Sequence, residues 1–209
     1  FDQLRGAKYF SKIDLTQFFH QIPMAEKDIH KTAITTRYGN FEWTVVPFGL
    51  RNAPAVACRF GNYIFQDFLD QFCVLFMDDL LIYSNTLQEH EKHLEQVFDK
   101  LRQFQLLAHP EKCHLFMRDV QYLGIGINST GLSIMEHRKK AILDWPTPEF
   151  GGGTKGGKRG KKDGKTAMRS FLGITGFFRK FIEGYAQIAA PLTDLTKEDV
   201  QWTWGIEEE

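Results

Sequence analysis

The most distinctive pattern in the chain is an apolar stretch, Cys73–Tyr83, that two adjacent acidic residues interrupt. Its length and its aromatic and β-branched residues are typical of a buried strand, yet burying Asp78 and Asp79 in the middle of a strand is costly. A β-hairpin with Met77, Asp78 and Asp79 at its tip removes the conflict, because both arms are buried while both carboxylates reach one edge of the sheet. The stretch alone is equally compatible with a solvated turn and with a functional site.

The hydrophobic pattern before this hairpin predicts a strand, a second hairpin and a helix. The strand covers residues 8–15 and has Asp14 near its C-terminal end. Two β-prone runs, 30–36 and 40–46, are joined through a Gly-Asn turn that tolerates positive φ. A helix follows from Asn52, the expected N-cap, to about residue 70, because apolar residues recur every four positions.

The pattern after the hairpin predicts further helices and strands. Thr86 and Glu89 have the spacing of a capping box, which marks the start of a helix. The resulting order of elements predicts an α+β fold, in which helices pack on one face of an antiparallel sheet. The remaining expected elements are strands over 106–116 and 120–127, a turn at 128–131, a helix over 136–145 and an amphipathic helix that includes Phe171–Ile182.

Residues 151–165 differ from the rest of the chain because they are rich in glycine and lysine. This composition predicts a mobile basic loop. Two interpretations stay open: a loop that contacts nucleic-acid backbone non-specifically, and an insertion that the surface tolerates.

Composition indicates a folded chain but does not identify its partner. Of the 209 residues, 43% are hydrophobic, which allows a sizeable core and argues against disorder. The formal net charge is zero, so only the local distribution of charge can indicate a polyanionic partner. No apolar run reaches membrane-spanning length, and the three cysteines lack the spacing of a zinc site. Because Phe1 opens the chain, we expect an excised piece of a longer protein.

Asp14, Asp78 and Asp79 form the candidate catalytic site. If the strand that ends at Asp14 pairs beside the hairpin, three carboxylates meet at one edge of the sheet and cannot all stay ionised without a cation. Carboxylate oxygens select Mg²⁺ or Mn²⁺, and two such ions about 4 Å apart are the usual device for phosphoryl or nucleotidyl transfer. Three isolated acids would more often be structural, so the neighbouring motifs decide the interpretation.

Collinear motifs give these acids their context. Tyr9–Leu15, Pro47–Leu50, Phe76–Asp79 and Tyr122–Gly124 follow one another along the chain. They resemble, in this order, the first catalytic motif, the template and nucleotide motif, the tyrosine-x-Asp-Asp hairpin and the primer grip of reverse transcriptases of the Ty3/gypsy LTR-retrotransposon type. The resemblance covers almost the whole chain except the Gly/Lys-rich segment.

The resemblance implies a role for each motif residue. Asp14 and Asp78 would be catalytic and hold two Mg²⁺ ions, or Mn²⁺, with help from Asp79 and the backbone carbonyl of Leu15. Phe19 would be the steric gate that rejects the ribose 2′-hydroxyl. The implied nucleotide-binding residues are Phe18, Phe19, Phe48 and Gly49, and the implied primer grip is Leu123 and Gly124.

The resemblance also implies a domain organisation. It predicts a palm with truncated fingers over 1–130, a thumb over 131–190 and the start of the connection over 191–209, with the fingers and the RNase H domain outside the chain. Two residues depart from the family pattern. Phe76 replaces a tyrosine, and Phe18 replaces a Gly or Ala, so that its bulk is expected to crowd the triphosphate.

The implied function is RNA-directed DNA polymerisation by a fragment of a retrotransposon polyprotein. The expected partners are an RNA or DNA template with its primer, deoxynucleoside triphosphates, and the protease, RNase H and integrase of the polyprotein, without a membrane. The expected location is a cytoplasmic virus-like particle or the nucleus. The main alternative is an inactive remnant that binds nucleic acid or a protein. An RNA-templated RNA polymerase is a third hypothesis, against which Phe19 argues.

Overall fold

The described part of the chain forms two compact units. The computed structural model describes residues 2–4, 6–147, 164–200 and 202–205, and the units are Phe1–Leu132 and Ser133–Glu209. The division lies next to the boundary expected at residue 130, whereas the assignment of the units as palm and thumb stays a prediction. Residues 151–163 of the expected loop over 151–165 lie outside the described residues. The last two residues of that expected loop, 164 and 165, belong to a helix instead.

The α+β class that the sequence predicts is confirmed. The strands are β1 (Tyr9–Asp14), β2 (Ile34–Thr36), β3 (Gly39–Phe41), β4 (Cys73–Phe76), β5 (Asp79–Ser84), β6 (His114–Met117), β7 (Asp119–Tyr122), β8 (Ile125–Asn128) and β9 (Gly131–Ile134). The α-helices are α1 (Ala53–Phe65), α2 (Leu87–Gln103), α3 (Glu136–Leu143), α4 (Gly164–Phe177), α5 (Tyr185–Ile188) and α6 (Ala190–Asp194). Short 3-10 helices cover Asp2–Leu4, Phe18–Gln21, Glu26–Thr32, Pro110–Lys112 and Arg179–Phe181.

A four-stranded antiparallel sheet in the order β4-β5-β1-β6 forms the centre of the first unit. β4 and β5 are the arms of the predicted hairpin, and β1 pairs along β5 until Asp14 lies opposite Asp79. The strand that ends at Asp14 therefore lies beside the acidic hairpin, as the sequence predicts. The hairpin tip is shorter than expected: it consists of Met77 and Asp78, and Asp79 is the first residue of β5.

Both faces of this sheet carry buried side chains. On one face, Ile13, Leu80 and Ile82 belong to the main core, which also contains apolar residues of α1 and α2. On the opposite face, Phe10 and Leu81 are fully buried, and β7 lies against β1. Because successive side chains of a strand point to opposite faces, every second residue of β1 after Phe10 lies on this second face.

The starts of α1 and α2 are stabilised differently. Thr86 caps α2 as predicted: its hydroxyl accepts a hydrogen bond from the Glu89 amide, and the Glu89 carboxylate accepts one from the Thr86 amide, both at 3.2 Å. Asn52 occupies the predicted N-cap position of α1, with Pro54 in the first turn, but its backbone is helical and its side chain makes no capping bond. α1 ends at Phe65, earlier than the apolar periodicity suggests.

The predicted hairpin over 30–36 and 40–46 is much shorter in the structure. Only β2 and β3 pair, and residues 30–32 belong to a 3-10 helix. The Thr32 hydroxyl explains the difference, because it donates to the Ile29 carbonyl at 2.7 Å and accepts from the Trp43 amide at 2.8 Å. Such side-chain bonds to the backbone compete with strand pairing.

The two strands predicted after α2 are also revised. The run 106–116 contains a 3-10 turn at Pro110–Lys112, and only β6 remains a strand. Proline lacks the amide donor that a strand interior needs. The run 120–127 is split into the hairpin of β7 and β8 by Leu123 and Gly124, whose φ angles are 52° and 83°. Positive φ at both central residues is the feature of a tight type I′ turn.

A buried polar network joins α2 to the central sheet. The fully buried His90 lies 2.7 Å from the Ser11 hydroxyl and 2.8 Å from that of Ser84, which also lies 2.8 Å from His93 Nδ1. Ser11 accepts a further bond from the Phe116 amide at 3.0 Å. One set of proton positions satisfies all these groups with both imidazoles neutral: Ser11 donates to His90, His90 to Ser84, and Ser84 to His93.

The second unit is helical and has a small core among its described residues. Basic side chains of α4 bind carbonyls of the segment after α6: Lys165 donates to Val200 at 2.7 Å and to Lys197, and Arg169 donates to Thr196 at 2.8 Å. These contacts hold residues 196–200 against α4. Within the described part of the protein, no helix is both long and apolar enough to cross a membrane.

Candidate active site

Asp14 and Asp79 are direct neighbours on adjacent strands. They lie opposite each other in the antiparallel register of β1 and β5, where opposite Cβ atoms are about 5 Å apart. Their side chains are 20% and 21% exposed. Like charges in this arrangement repel each other, so the pair favours a cation close by.

The hairpin tip is tied to the end of β1. The Leu15 amide donates to the Asp78 carbonyl at 2.8 Å, and the Asp78 side chain is exposed. Met77, the first residue of the tip, has a φ of 54°, which is the left-handed region that few non-glycine residues adopt. The structure thus brings Asp14, Leu15, Asp78 and Asp79 together, and we call this group the acidic corner.

The backbone around Asp14 is fixed by a neighbouring loop. The Asp14 carbonyl accepts a bond from the His109 amide at 2.8 Å, and the Thr16 amide donates to the Leu107 carbonyl at 2.9 Å. The Gln21 side chain bonds both backbone groups of Leu107, at 2.6 and 3.0 Å. Gln21 therefore helps to position the segment that follows Asp14.

Two lysines face the acidic corner, and neither was predicted as a site residue. Lys12 Nζ lies 2.9 Å from Asp79 Oδ1, and Lys112 Nζ lies 4.0 Å from Asp14 Oδ1. Lys12 precedes Asp14 by two residues in β1 and therefore lies on the same sheet face. A charged residue inside an apolar strand, two positions from a catalytic candidate, is the sequence signal that identifies it.

The ligand types of the acidic corner suit a hard divalent cation, because Mg²⁺ prefers carboxylate and carbonyl oxygens. The side chains are not gathered around a metal position, however. Among the residues that the structure describes, no group of three His, Cys, Asp or Glu side chains is arranged to hold a metal ion. The Asp79 carboxylate binds Lys12 instead. The metal-binding roles of Asp14, Leu15, Asp78 and Asp79 remain predictions.

An aromatic cluster contains two of the predicted nucleotide-binding residues. Phe19 contacts Phe48 edge to face, with ring centroids 5.5 Å apart, and His20 packs against both Phe48 and Trp43 at 4.6 and 5.4 Å. Phe48 is 63% exposed, and Gly49, at φ 95°, has open space around its Cα. The cluster therefore offers an exposed aromatic surface. His20 and Trp43 belong to it although neither was predicted as a site residue.

The expectation that the Phe18 side chain crowds a nucleotide is wrong. Phe18 is 1% exposed, belongs to the main core and packs 6.0 Å from the Phe60 ring. Of the two adjacent aromatics, Phe18 faces inward because α1 packs against the 3-10 helix that contains it, whereas Phe19 is only partly buried. Any nucleotide contact of Phe18 is therefore left to its backbone.

The predicted primer-grip residues form the turn between β7 and β8. Next to Leu123 and Gly124, the buried Tyr122 hydroxyl donates to the Asp79 carbonyl at 3.1 Å. Burial first, and then the negative charge of Asp79, raises the pKa of Tyr122 well above its ordinary value, so the phenol stays a donor. Tyr122 thus connects the turn to the acidic corner, while the grip role itself remains a prediction.

Comparison with known families gives this arrangement its context. The family described as "Reverse transcriptase (RNA-dependent DNA polymerase)" matches residues 1–127. The matched range includes the acidic corner, the aromatic cluster and the turn at Leu123 and Gly124. It thus covers more than half of the chain.

Similar polyproteins occur in Drosophila melanogaster. The Retrovirus-related Pol polyprotein from transposon 297 is 38% identical over 196 residues, which are 94% of this chain and 17% of that protein. The one from transposon opus is 36% identical over 194 residues, which are 93% of this chain and 18% of that protein. The chain thus spans less than a fifth of the length of these relatives.

Solved structures of a foamy viral protease-reverse transcriptase have a similar fold. The structure in complex with an RNA/DNA hybrid is 26% identical with a TM-score of 0.73, over 98% of this chain and 26% of that chain. The dRH form in complex with double-stranded DNA is 27% identical with a TM-score of 0.74, over 98% of this chain and 34% of that chain. The chain therefore belongs to the reverse transcriptase family, in the branch of the Ty3/gypsy retrotransposons.

Proposed function

We propose that this chain carries the catalytic centre of a retrotransposon reverse transcriptase, which adds deoxynucleotides to a primer 3′ end on an RNA or DNA template. The observation that carries the proposal is the register of β1 and β5, which pairs Asp14 with Asp79 beside the Asp78 tip. The family generally depends on divalent metal ions. We infer that two Mg²⁺ ions, or Mn²⁺, bind at the acidic corner.

Each part of the site has a task in this reaction. Asp14, Asp78 and the Leu15 carbonyl would hold the ions, with Asp79 in support, and the ions would activate the primer hydroxyl and neutralise the leaving group. Phe19, partly buried against Phe48, would limit the space at the sugar 2′ position. The turn at Leu123 and Gly124, which Tyr122 connects to Asp79, would support the primer end.

The proposed partners follow from the relatives. The solved relatives are complexes with an RNA/DNA hybrid and with double-stranded DNA, so we infer a primer–template duplex as the bound nucleic acid and deoxynucleoside triphosphates as substrates. The curated relatives are Pol polyproteins, so protease, RNase H and integrase are the proposed neighbours. A cytoplasmic virus-like particle or the nucleus is the proposed place of action.

Primer extension on an RNA template with Mg²⁺ tests the proposal. We expect the Asp78→Asn variant to lose activity about a thousandfold, since a lost metal ligand removes several kcal/mol of transition-state stabilisation. Asp67→Asn is the matched control, because Asp67 is an exposed carboxylate that pairs with Lys100 outside the site. Extension by Asp78→Asn at the wild-type rate would show that the acidic corner is not the catalytic centre.

One observation favours the alternative of a remnant that binds nucleic acid without polymerising. The Asp79 carboxylate binds Lys12, and the described carboxylates do not form a three-ligand metal cluster. Under this alternative, neither the wild type nor Asp78→Asn extends a primer, and both bind a primer–template duplex with the same salt dependence.

A further inference from the structure

We propose that Lys12 is a resident counter-ion of the acidic corner and lowers the affinity of the corner for divalent cations. This inference rests on the proposed function, because it takes the acidic corner as the metal site. Before a metal binds, the Lys12 ammonium neutralises Asp79. A divalent cation at the corner would compete with the ammonium for Asp79 Oδ1. Lys12 is thus a positioning residue that acts through Asp79.

The register of the sheet explains why Lys12 reaches Asp79 rather than solvent. Lys12 lies opposite Leu81 in the pairing of β1 and β5, and Asp79 is two residues along β5, next to Asp14. Lys12 and Asp79 are therefore diagonal neighbours on one sheet face, a distance that a long side chain spans. The resulting contact between Nζ and Oδ1 measures 2.9 Å.

This ion pair is better shielded from water than pairs on the protein surface. Lys12 and Asp79 are both 21% exposed, whereas Lys31 and Arg102, which pair with Asp28 and Asp99, are more than half exposed. Exposed pairs contribute little because solvent screens them. With less solvent, the attraction between Lys12 and Asp79 is stronger, and it also offsets the repulsion between Asp79 and Asp14.

The same contact opposes a metal ion in two ways. The ammonium occupies a carboxylate oxygen that would assist in binding the ion, and its positive charge repels a second cation nearby. Lys112 has a weaker effect, because its ammonium is 4.0 Å from Asp14 and its side chain is 62% exposed. Removing the Lys12 charge should therefore tighten metal binding while it destabilises the metal-free protein. A lysine with a purely structural role would give only the second effect.

Titration of the whole chain with Mn²⁺, followed by electron paramagnetic resonance without nucleic acid, tests the inference. We expect Lys12→Met to lower the Kd for Mn²⁺ about tenfold, because it removes a unit charge next to the ligands. Lys12→Arg, which keeps the charge, and Lys100→Met, which removes a lysine paired with Asp67 outside the corner, should stay within about twofold of the wild type.

A second measurement uses the wild type and does not depend on the folding of a variant. Nuclear magnetic resonance of the lysine ammonium groups should show the Lys12 signal shifting as Mg²⁺ is added, while the Lys100 signal stays unchanged. A Lys12→Met protein that is folded by circular dichroism and binds Mn²⁺ as weakly as the wild type would overturn the inference. So would a Lys12 signal that does not respond to saturating Mg²⁺.

The outcomes separate this inference from the proposed function. If the wild type extends primers and depends on Asp78, but Lys12→Met leaves the Kd for Mn²⁺ unchanged, only the inference about Lys12 fails. If the wild type binds no Mn²⁺ and Asp78→Asn extends primers equally well, the proposed function fails and the inference with it.

Discussion

Met77 is the residue at which the backbone of the hairpin tip is strained. Its φ of 54° costs a residue with a Cβ atom about 1–2 kcal/mol, whereas glycine adopts it freely. Two substitutions that both remove the side chain isolate this cost. We expect Met77→Gly to be more stable than Met77→Ala by about 1 kcal/mol in urea unfolding. Glycine makes the unfolded chain more flexible, so a Met77→Ala protein that is more stable than Met77→Gly by about 0.4–1 kcal/mol would show that the tip carries no backbone strain.

His90 predicts how stability depends on pH. Burial first, and then the nearby His93, lowers the pKa of His90 from 6.5 to about 4. The unfolded chain binds a proton at His90 more tightly than the folded chain does. The contribution of neutral His90 to the free energy of unfolding is therefore complete above pH 6.5 and is lost as the pH falls toward 4.

Urea unfolding at about pH 7.5 and about pH 4.5 measures this effect. Between these values, the wild type should lose about 2 kcal/mol more free energy of unfolding than His90→Gln, which does not titrate. His93, whose pKa burial also lowers, remains in both proteins, so the difference measures His90 together with its electrostatic coupling to His93. Parallel pH profiles of the two proteins would contradict the assignment to His90.

Capping provides a prediction at the scale of the helices. Thr86→Ala should cost about 1 kcal/mol of unfolding free energy, because it removes the hydroxyl that accepts the Glu89 amide. Asn52→Ala is the matched control: Asn52 precedes α1 but makes no capping bond, so its loss should stay within about 0.5 kcal/mol. A larger loss at Asn52 than at Thr86 in thermal unfolding would contradict the observed caps.

The sequence was most informative where one local rule determined an element. The acids at Asp78 and Asp79 predicted the hairpin because the apolar run around them could not otherwise be buried, and the spacing of Thr86 and Glu89 predicted a helix start. Local sequence patterns gave wrong predictions where contacts between distant parts of the chain determine the structure. Thr32 binds the Trp43 amide and belongs to the 3-10 helix before β2, and the order of aromatics could not show that Phe18 faces the core. The ion pair of Lys12 depends on a register that no single segment specifies.

The two units of the molecule differ in the size of their cores. In the first unit, the central sheet carries buried side chains on both faces, and α1 and α2 contribute to the main core. Among the described residues of the second unit, buried apolar side chains are few: Met168, Phe178, Ala189 and Leu195. A smaller core offsets less of the conformational entropy lost on folding, so we expect the second unit to open more readily.

Amide hydrogen exchange followed by mass spectrometry tests this difference. Amides of β1 and β5 should be protected at least about tenfold more than those of α4, since buried core elements open only with the whole domain. Both sets of amides are hydrogen-bonded within regular elements, so the comparison measures cooperative opening rather than local exposure. Equal protection of β1 and α4 would show that the chain unfolds as one cooperative unit.

The alternation of side chains along β1 has a consequence for mutation in the genome. Lys12 and Asp14 share one sheet face, and Ile13 lies on the other face in the core. An in-frame insertion or deletion of a single codon between Phe10 and Ile13 would exchange the faces of the residues that follow it, turning the Asp14 carboxylate into the core and Ile13 outward. We therefore expect related sequences to vary in β1 by substitution at positions other than Asp14 rather than by single-codon changes in length.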